Sequence, residues 1–304
     1  ATMKKNKKNE IEEKLAVRKK QYWDSREGDE EKLLKKLAVE YERHSKYLEK
    51  EIAAFYQQYG TDNVLEYKSL FKQLSPSDKR MLFEEVNEFF KKYPEYKHLK
   101  MVKSKIYKLN RLEGLQESVY LNQLECGIIE LKEFEKHFGK LGGVAIDDIA
   151  KARIDDTFLV DSINKNWLKE DNFSKNIWDN RTKLLNYLQN DIRDGFIRGD
   201  SYEKLIRQVK KRMNDTSKSN AERLIRTEGT FMSNEAQARE FEQHYEAYFF
   251  SARMDNKTSK ICSGLNGQRF LFSERQAGVN FPPMHPWCRS GFVVDVDSYI
   301  ESED

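Results

Sequence analysis

Four side chains near the C-terminus have the types and the spacing to hold a metal ion: Asp255, Cys262, His285 and Cys288. His285 and Cys288 stand two residues apart within FPPMHPWCRS, so two ligands of one loop can face one ion, and Cys262 can supply a third from the hairpin before it. Zinc takes thiolate and imidazole at about 2.0–2.3 Å in a tetrahedral arrangement. Three of the chain's five prolines lie in this loop, on both sides of His285. Proline fixes φ and reduces the entropy lost when a loop is clamped. A plainer reading needs no metal: a buried histidine bonded to backbone beside two core cysteines. On that reading Asp255, which opens DNKTSK, is a turn residue whose carboxylate accepts from a backbone N–H two positions on.

Cys126, Cys262 and Cys288 are the only cysteines, too few for a disulfide framework. They fit a reducing compartment, where grouped Cys and His point to metal. Upstream, Arg226 and Glu228 lie on a predicted helix, two positions apart and so pointing different ways. Arg226 could anchor the C-terminal part through a bidentate pair with a carboxylate such as Asp255.

The elements that must position these residues are mostly helical. EKLLKKLAVEYERHSKYLEKEIAAFYQQY, from Glu31, sets Leu33, Leu34, Leu37, Val39, Tyr41, Tyr47, Leu48, Ile52 and Phe55 at three- and four-residue spacing, and Gly60 supplies a stop. Ser75 caps a second helix with Pro76 at its first position and Asp78 in its first turn. Pro94 marks a turn, and helical spacing resumes from Tyr107 to Phe138. Three glycines between Gly139 and Gly143 predict a linker. Two further helices are expected, broken at Gly199, the second capped by Asp200, and another started by a Ser219–Glu222 capping box. From Tyr245 the pattern changes to short aromatic and β-branched runs, AYFFSARMD, QRFLF and GFVVDVD, the signature of strands.

The expected class is mainly α, a long helical N-terminal region followed by a helical segment and a small C-terminal α+β unit that zinc could staple. The predicted segments are a basic N-terminal piece (1–30), a variable helical region (31–140), a connecting segment (141–174), a C-terminal domain (175–297) closing in the α+β unit (245–297), and an acidic tail (298–304).

Net charge is only +3, with 35% charged residues, so bulk charge alone does not demand a nucleic-acid partner. The charge is uneven, however, and two basic runs could contact phosphates: Lys4, Lys5, Lys7 and Lys8, then Lys204, Arg207, Lys210, Lys211 and Arg212. The bland reading of both is a solvated helix face. No run approaches the roughly 18 apolar residues that span a membrane. The opening ATMKKNKKNEIEEK lacks the apolar stretch of a signal peptide. The chain is expected to be cytosolic or enclosed in a particle built in the cytosol.

RTEGTFMSNEAQA, RMDNKTSKICSGLNGQRF and FPPMHPWCRSGF, in this order, resemble the C-terminal domain of the phage head-morphogenesis family, the minor head proteins similar to protein F of phage Mu and to the minor head protein of phage SPP1. The residues that carry the resemblance are Arg226, Thr227, Glu228, Asp255, Thr258, Cys262, Leu265, Gly267, Pro282, Pro283, His285, Cys288 and Arg289. QYWDSRE near Tyr22 and IWDNRTKLL near Trp178 resemble the family's N-terminal tag and central helices. Ser290 departs from the pattern, because many relatives carry a second Cys there; Asp255 or water is left as the fourth ligand. The resemblance implies a low-copy protein inside the phage head, assembled in the host cytoplasm. Its implied partners are the portal protein and packaged double-stranded DNA, with scaffold or major capsid protein as further candidates and no membrane. Its implied roles are head morphogenesis and the early fate of ejected DNA. The rival class is an enzyme: a metal-dependent nuclease with Glu228 or Asp255 as base, or an ADP-ribosyltransferase-like effector. The absence of an evident nucleophile–base spacing weighs against it.

Overall fold

The computed structural model describes residues 2–62, 64–147 and 173–300, with helical backbone alone at 2–23, 142–147 and 173. The architecture is mainly α with one small sheet, as the periodicity predicts. Its helices are α1 (Thr2–Tyr59), α2 (Pro76–Lys92), α3 (Lys103–Ile106), α4 (Arg111–Asp147), α5 (Phe173–Arg198), α6 (Tyr202–Phe241) and α7 (Lys260–Leu265). The chain divides into two compact units.

The first unit joins residues 37–130 and 178–219 and is helical. Along α1, Leu37, Tyr41, Leu48, Ile52 and Phe55 are buried at the expected spacing, whereas Val39 faces solvent at 68% exposure. Val39 falls between the buried positions 37 and 41, on the outward side of the same turn. Gly60 ends the helix, its N–H returning to Tyr56 O at 2.8 Å. At α2 the cap forms as expected, Ser75 Oγ accepting from Asp78 N at 3.1 Å. Leu82, Val86 and Phe90 of α2 pack with Ile106, Leu121, Leu124 and Ile128. A buried polar key sits nearby: Glu130 accepts from Tyr41 Oη at 3.0 Å and from Arg181 Nε at 2.7 Å, and Arg181 also reaches Ser217 at 3.0 Å.

Three sequence expectations change here. Gly199, at φ +67°, closes α5, and Asp200 N donates back to Gly195 O at 2.9 Å. Asp200 therefore belongs to the end of α5, its carboxylate held by Arg198 and Lys204, and the cap of α6 passes to Ser201. Second, no helix starts at Ser219. α6 runs unbroken from Tyr202 to Phe241 because no Gly or Pro interrupts it before Gly229, and Leu205, Val209, Met213, Ala221 and Leu224 continue one buried stripe. Third, α4 passes through the glycines at 139, 142 and 143 instead of ending in a linker. Each Gly costs roughly 1 kcal/mol against Ala in a helix, and burial of Phe134, Phe138 and Leu141 just before them offsets it. The remainder of the predicted connecting segment, 148–172, lies outside the described residues, as does 301–304 of the acidic tail.

The second unit joins residues 1–36, 131–177 and 220–304. Its sheet is antiparallel, in the order β2 (Arg269–Leu271), β1 (Ala247–Ser251), β3 (Gly291–Val294), with Phe249 paired to both Arg269 and Val293. Tyr248, Phe272, Phe281 and Phe292 form an aromatic core beneath it with Ala238 of α6. Ring centroids lie 5.0–5.6 Å apart. A smaller cluster of Phe250, Met284, Cys262 and Cys288 continues that core.

In the first unit a cavity of about 200 Å3 is lined by Glu51, Phe55, Leu82, Glu85 and Ser118. Burial, and then the Glu85 carboxylate, push Glu51 up to about 7. An acid whose folded pKa exceeds its unfolded one stabilises the fold while protonated; that contribution is present at about pH 4 and is lost as pH rises through about 7. Glu51→Gln is expected to raise unfolding stability at pH 8 by about 2–3 kcal/mol and to change it little at pH 4, read by urea denaturation at both values. An equal difference at the two pH values would place the effect elsewhere.

Candidate metal centre

Cys262 lies in α7, a helix whose start is fixed by Ser259, the Oγ accepting from Cys262 N at 3.1 Å. The turn before it is braced by side chains. Thr258 Oγ1 accepts from Asp255 N at 2.8 Å and donates to Arg253 O, while Asp255 Oδ1 accepts from Lys257 N at 2.8 Å. Asn266 and Gly267 then turn the chain into β2: Asn266 Oδ1 accepts from Ala252 N at 2.9 Å, and Gly267, at φ +79°, donates to Phe250 O at 2.8 Å. A side chain at Gly267 would strain that left-handed backbone.

The other two ligand candidates sit on the loop from Phe281 to Ser290. Pro282 and Pro283 are buried, the bond between them is cis, and Trp287 has φ +68°. The loop is fastened to one face of α6. Thr227 Oγ1 accepts from Trp287 N at 3.0 Å, Thr230 Oγ1 donates to Cys288 O at 2.8 Å, and Asn234 Nδ2 donates to Ser290 O at 3.2 Å. Positions 227, 230 and 234 follow the helical period of three and four, so one stripe of small polar side chains meets one strand of loop backbone. Behind them, Arg26 Nη2 donates to Thr230 Oγ1 at 3.1 Å while its Nε donates to Glu30 at 2.7 Å. Arg26 and Glu30 are each 4% exposed. Gly229 leaves room for this contact, since a Cβ there would meet Arg26 Nη2 at 3.0 Å.

Three donor atoms converge in this frame. Cys262 Sγ lies 3.3 Å from His285 Nε2 and 3.7 Å from Cys288 Sγ, and the three ligand atoms all fall within 4.8 Å of one another. Tetrahedral bonds of the usual zinc lengths set two sulfurs about 3.8 Å apart and sulfur and nitrogen about 3.5 Å apart. Both cysteines are free thiols. His285 Nδ1 stands 2.7 Å from Pro286 O, a pure acceptor, so Nδ1 carries the proton and Nε2 presents its lone pair to the sulfurs. The hydrogen bond from Cys262 draws the Cys288 thiol down to about 5, and the same bond, with burial, holds the Cys262 proton well above its ordinary value. One proton leaves easily and the second needs a cation to replace it. These three residues could hold a metal ion.

Asp255 stands outside the group. Both of its oxygens are taken by Arg289, at 2.8 and 2.6 Å, and that guanidinium holds its carboxyl well below the usual carboxylate range. Asp255 is thus the turn residue of the plainer reading, and its bidentate partner is Arg289, not Arg226. Arg226 has its Nη1 3.9 Å from Glu30, and Glu228 is buried in α6. A cleft of about 20 Å3, lined by Thr258, Ser259, Cys262, His285, Trp287 and Ser290, has room for one water-sized fourth ligand. Cys126 is buried in the helical unit and takes no part.

The sequence passed over Arg26, Glu30, Thr230 and Asn234. Thr227, Thr230 and Asn234 show a polar stripe at helical spacing, a signal available without coordinates. Of the phosphate-binding candidates on α6, Lys204 pairs with Asp200, Lys210 with Glu49 at 2.8 Å, and Arg212 with Asp191. Arg207 and Lys211 are exposed. The side chains of Lys4, Lys5, Lys7 and Lys8 lie outside the described residues.

Residues 186–293 match the family described as Phage Mu protein F like protein. The resemblance carried by the RTE, DNKTSKIC and PPMHPWCR segments is borne out over that stretch. The Mu F-like segment includes the α6 stripe, the sheet and all three ligand candidates, while Arg26 and Glu30 precede it. No curated protein matches the chain, and no solved structure does.

Because Arg26 and Glu30 are buried together, removing one partner strands the other charge. Arg26→Met is expected to cost about 3–5 kcal/mol of stability and Arg26→Met/Glu30→Leu markedly less, read by chemical denaturation. A single variant as stable as the parent would show that the pair does not brace the loop.

Proposed function

We propose that this is a phage head-morphogenesis protein whose Mu F-like segment is a zinc-held binding body, acting by holding partners and not by catalysis. The observation that carries it is the family match over residues 186–293, which contains a converged Cys262–His285–Cys288 group. The ligand chemistry supports zinc: two thiolates and an imidazole form a soft set. Two thiolates would cancel the charge of a divalent ion and lower its Lewis acidity, while a Cys2His set with an open fourth position is also an arrangement that catalytic zinc takes. Cys262, His285 and Cys288 would hold the ion in place of the second thiol proton, which would join the loop to α7 and stiffen a surface already tied to α6.

The proposed setting is the interior of the head, at low copy, in contact with the portal protein and packaged double-stranded DNA, with roles in assembly and DNA ejection. Among the described residues no helix is long and apolar enough to cross a membrane. The open fourth position favours one rival, a metal-bound water acting on phosphodiesters.

Protein purified without added metal is expected to carry about one equivalent of zinc per chain, as three-ligand sites of this type do, and Cys288→Ser is expected to lose most of it. The intact chain should co-sediment with portal rings and be found in purified heads. Supercoiled DNA incubated with it and Mg2+ or Mn2+ should remain uncut; nicking abolished by His285→Ala would overturn the non-catalytic reading, and absence from heads the whole assignment.

A further inference from the structure

Residues 91–111 hold eight Lys or Arg against one acidic residue, Glu95. That segment alone is +7 in a chain whose net charge is +3, so all remaining residues together sum to −4. Residues 91–111 are thus one strongly basic stretch of the helical unit, and neither predicted phosphate-binding run contains it.

The side chains there keep their charge. Lys91 and Lys92 pair with Glu88 and Glu125. Lys97, Lys100, Lys103, Lys105 and Lys108 have no carboxylate partner among the described residues. Lys100 donates to the neutral amide oxygen of Asn87, and Lys103 lies over the rings of Phe83 and Tyr107 at 5.0 and 5.5 Å. Lys97, Lys103, Lys105 and Lys108 are exposed. The neighbouring turn, Tyr67–Phe71, extends this surface: Ser69 O and Lys72 O accept from Arg111 at 3.4 and 2.9 Å, which brings exposed Lys68 and Lys72 alongside. The contrast with α6 is direct, since three of its five candidate cations are neutralised by acidic neighbours.

We propose that the surface formed by residues 97–108 with Lys68 and Lys72 binds the phosphate backbone of nucleic acid without reading sequence. The inference rests on the preceding reading, in which packaged DNA is a partner, and names the surface that meets it. Lysine is a mobile point charge suited to phosphate, whereas the centre of a protein–protein interface is depleted in Lys and built on buried anchors. Uncompensated lysines on short turns therefore favour a polyanion over an acidic protein face.

The test uses the full chain and two labelled duplexes of unrelated sequence. Each phosphate contact contributes about −0.9 to the slope of log affinity against log salt. Lys97→Gln/Lys105→Gln/Lys108→Gln is expected to flatten that slope by about 2.7 on both duplexes equally. A control with the same change of net charge, Lys32→Gln/Lys35→Gln/Lys46→Gln, removes cations already paired with acids and should flatten it by less than about 1. An unchanged slope in the first variant, failure of the parent chain to bind duplex, or competition by an acidic polypeptide but not by DNA would each overturn the proposal. A chain that shows these slopes yet is absent from heads would sink the preceding reading and leave this one standing.

Discussion

The Mu F-like segment depends on one constraint: a loop with three prolines and a left-handed Trp287 makes few backbone bonds of its own, such as Cys288 N to His285 O at 3.1 Å, so other backbone groups must be satisfied from outside. α6 supplies what is needed with three short polar side chains. Thr227 takes the Trp287 N–H, Thr230 gives to the Cys288 carbonyl and Asn234 gives to the Ser290 carbonyl. A buried backbone group left without a partner costs about 1–3 kcal/mol, so each contact prevents a loss comparable to a good fraction of a domain's net stability. With the backbone fixed at Trp287, Cys288 and Ser290, the Cys288 side chain is held within reach of Cys262, its Sγ 3.7 Å from that of Cys262.

That frame also explains why the ligands are divided between two elements. His285 and Cys288 share a loop, but Cys262 comes from α7, whose position is set by the Thr258 brace and the Ser259 cap. Without an ion, the two sulfurs lie 3.7 Å apart in a hydrogen-bonded core contact beside Phe250 and Met284. With an ion, the same atoms would tie α7 to the loop. The protein scaffold already brings the donor atoms together, so an ion would add rigidity, in contrast to small metal-folded domains where the scaffold does not exist before binding.

Much of this was legible in the sequence, and the failures share a cause. Helical spacing, the Ser75 cap, the Gly60 and Gly199 breaks and the three strands were readable because each depends on neighbours within a few residues. The Cys262–His285–Cys288 group was readable because few residue types bind metals. What misled was a local signal outvoted by packing. The Ser219–Glu222 pattern is a valid cap but lies within a helix that Leu205, Val209, Met213 and Leu224 already carry through. The glycines of α4 weaken a helix that Phe134 and Phe138 hold. Arg226 was the arginine offered to Asp255, but Arg289 takes that place, since which of several arginines reaches a carboxylate is decided by the tertiary fold. Arg26 was beyond local reading altogether, because its partners lie about two hundred residues away in sequence.

Charge shows the same lesson in its plainest form. A run of Lys and Arg read from sequence says how many cations are present but not how many remain unneutralised. On α6 the acids that cancel them come from other positions: Asp191 for Arg212, Glu49 for Lys210, Asp200 for Lys204. In residues 91–111 the cations fall on a short turn and a one-turn helix, elements that bury little and bring few acidic side chains near. An ion pair at the surface contributes little to stability, with a median of about 0–1 kcal/mol, yet it removes a positive charge from the field that an approaching polyanion feels. The capacity to attract phosphate therefore follows the cations that folding leaves without a carboxylate. Among the described residues, folding leaves a group of them on the short elements between Lys97 and Lys108, where flexible lysine stems could follow a backbone whose bases they do not read.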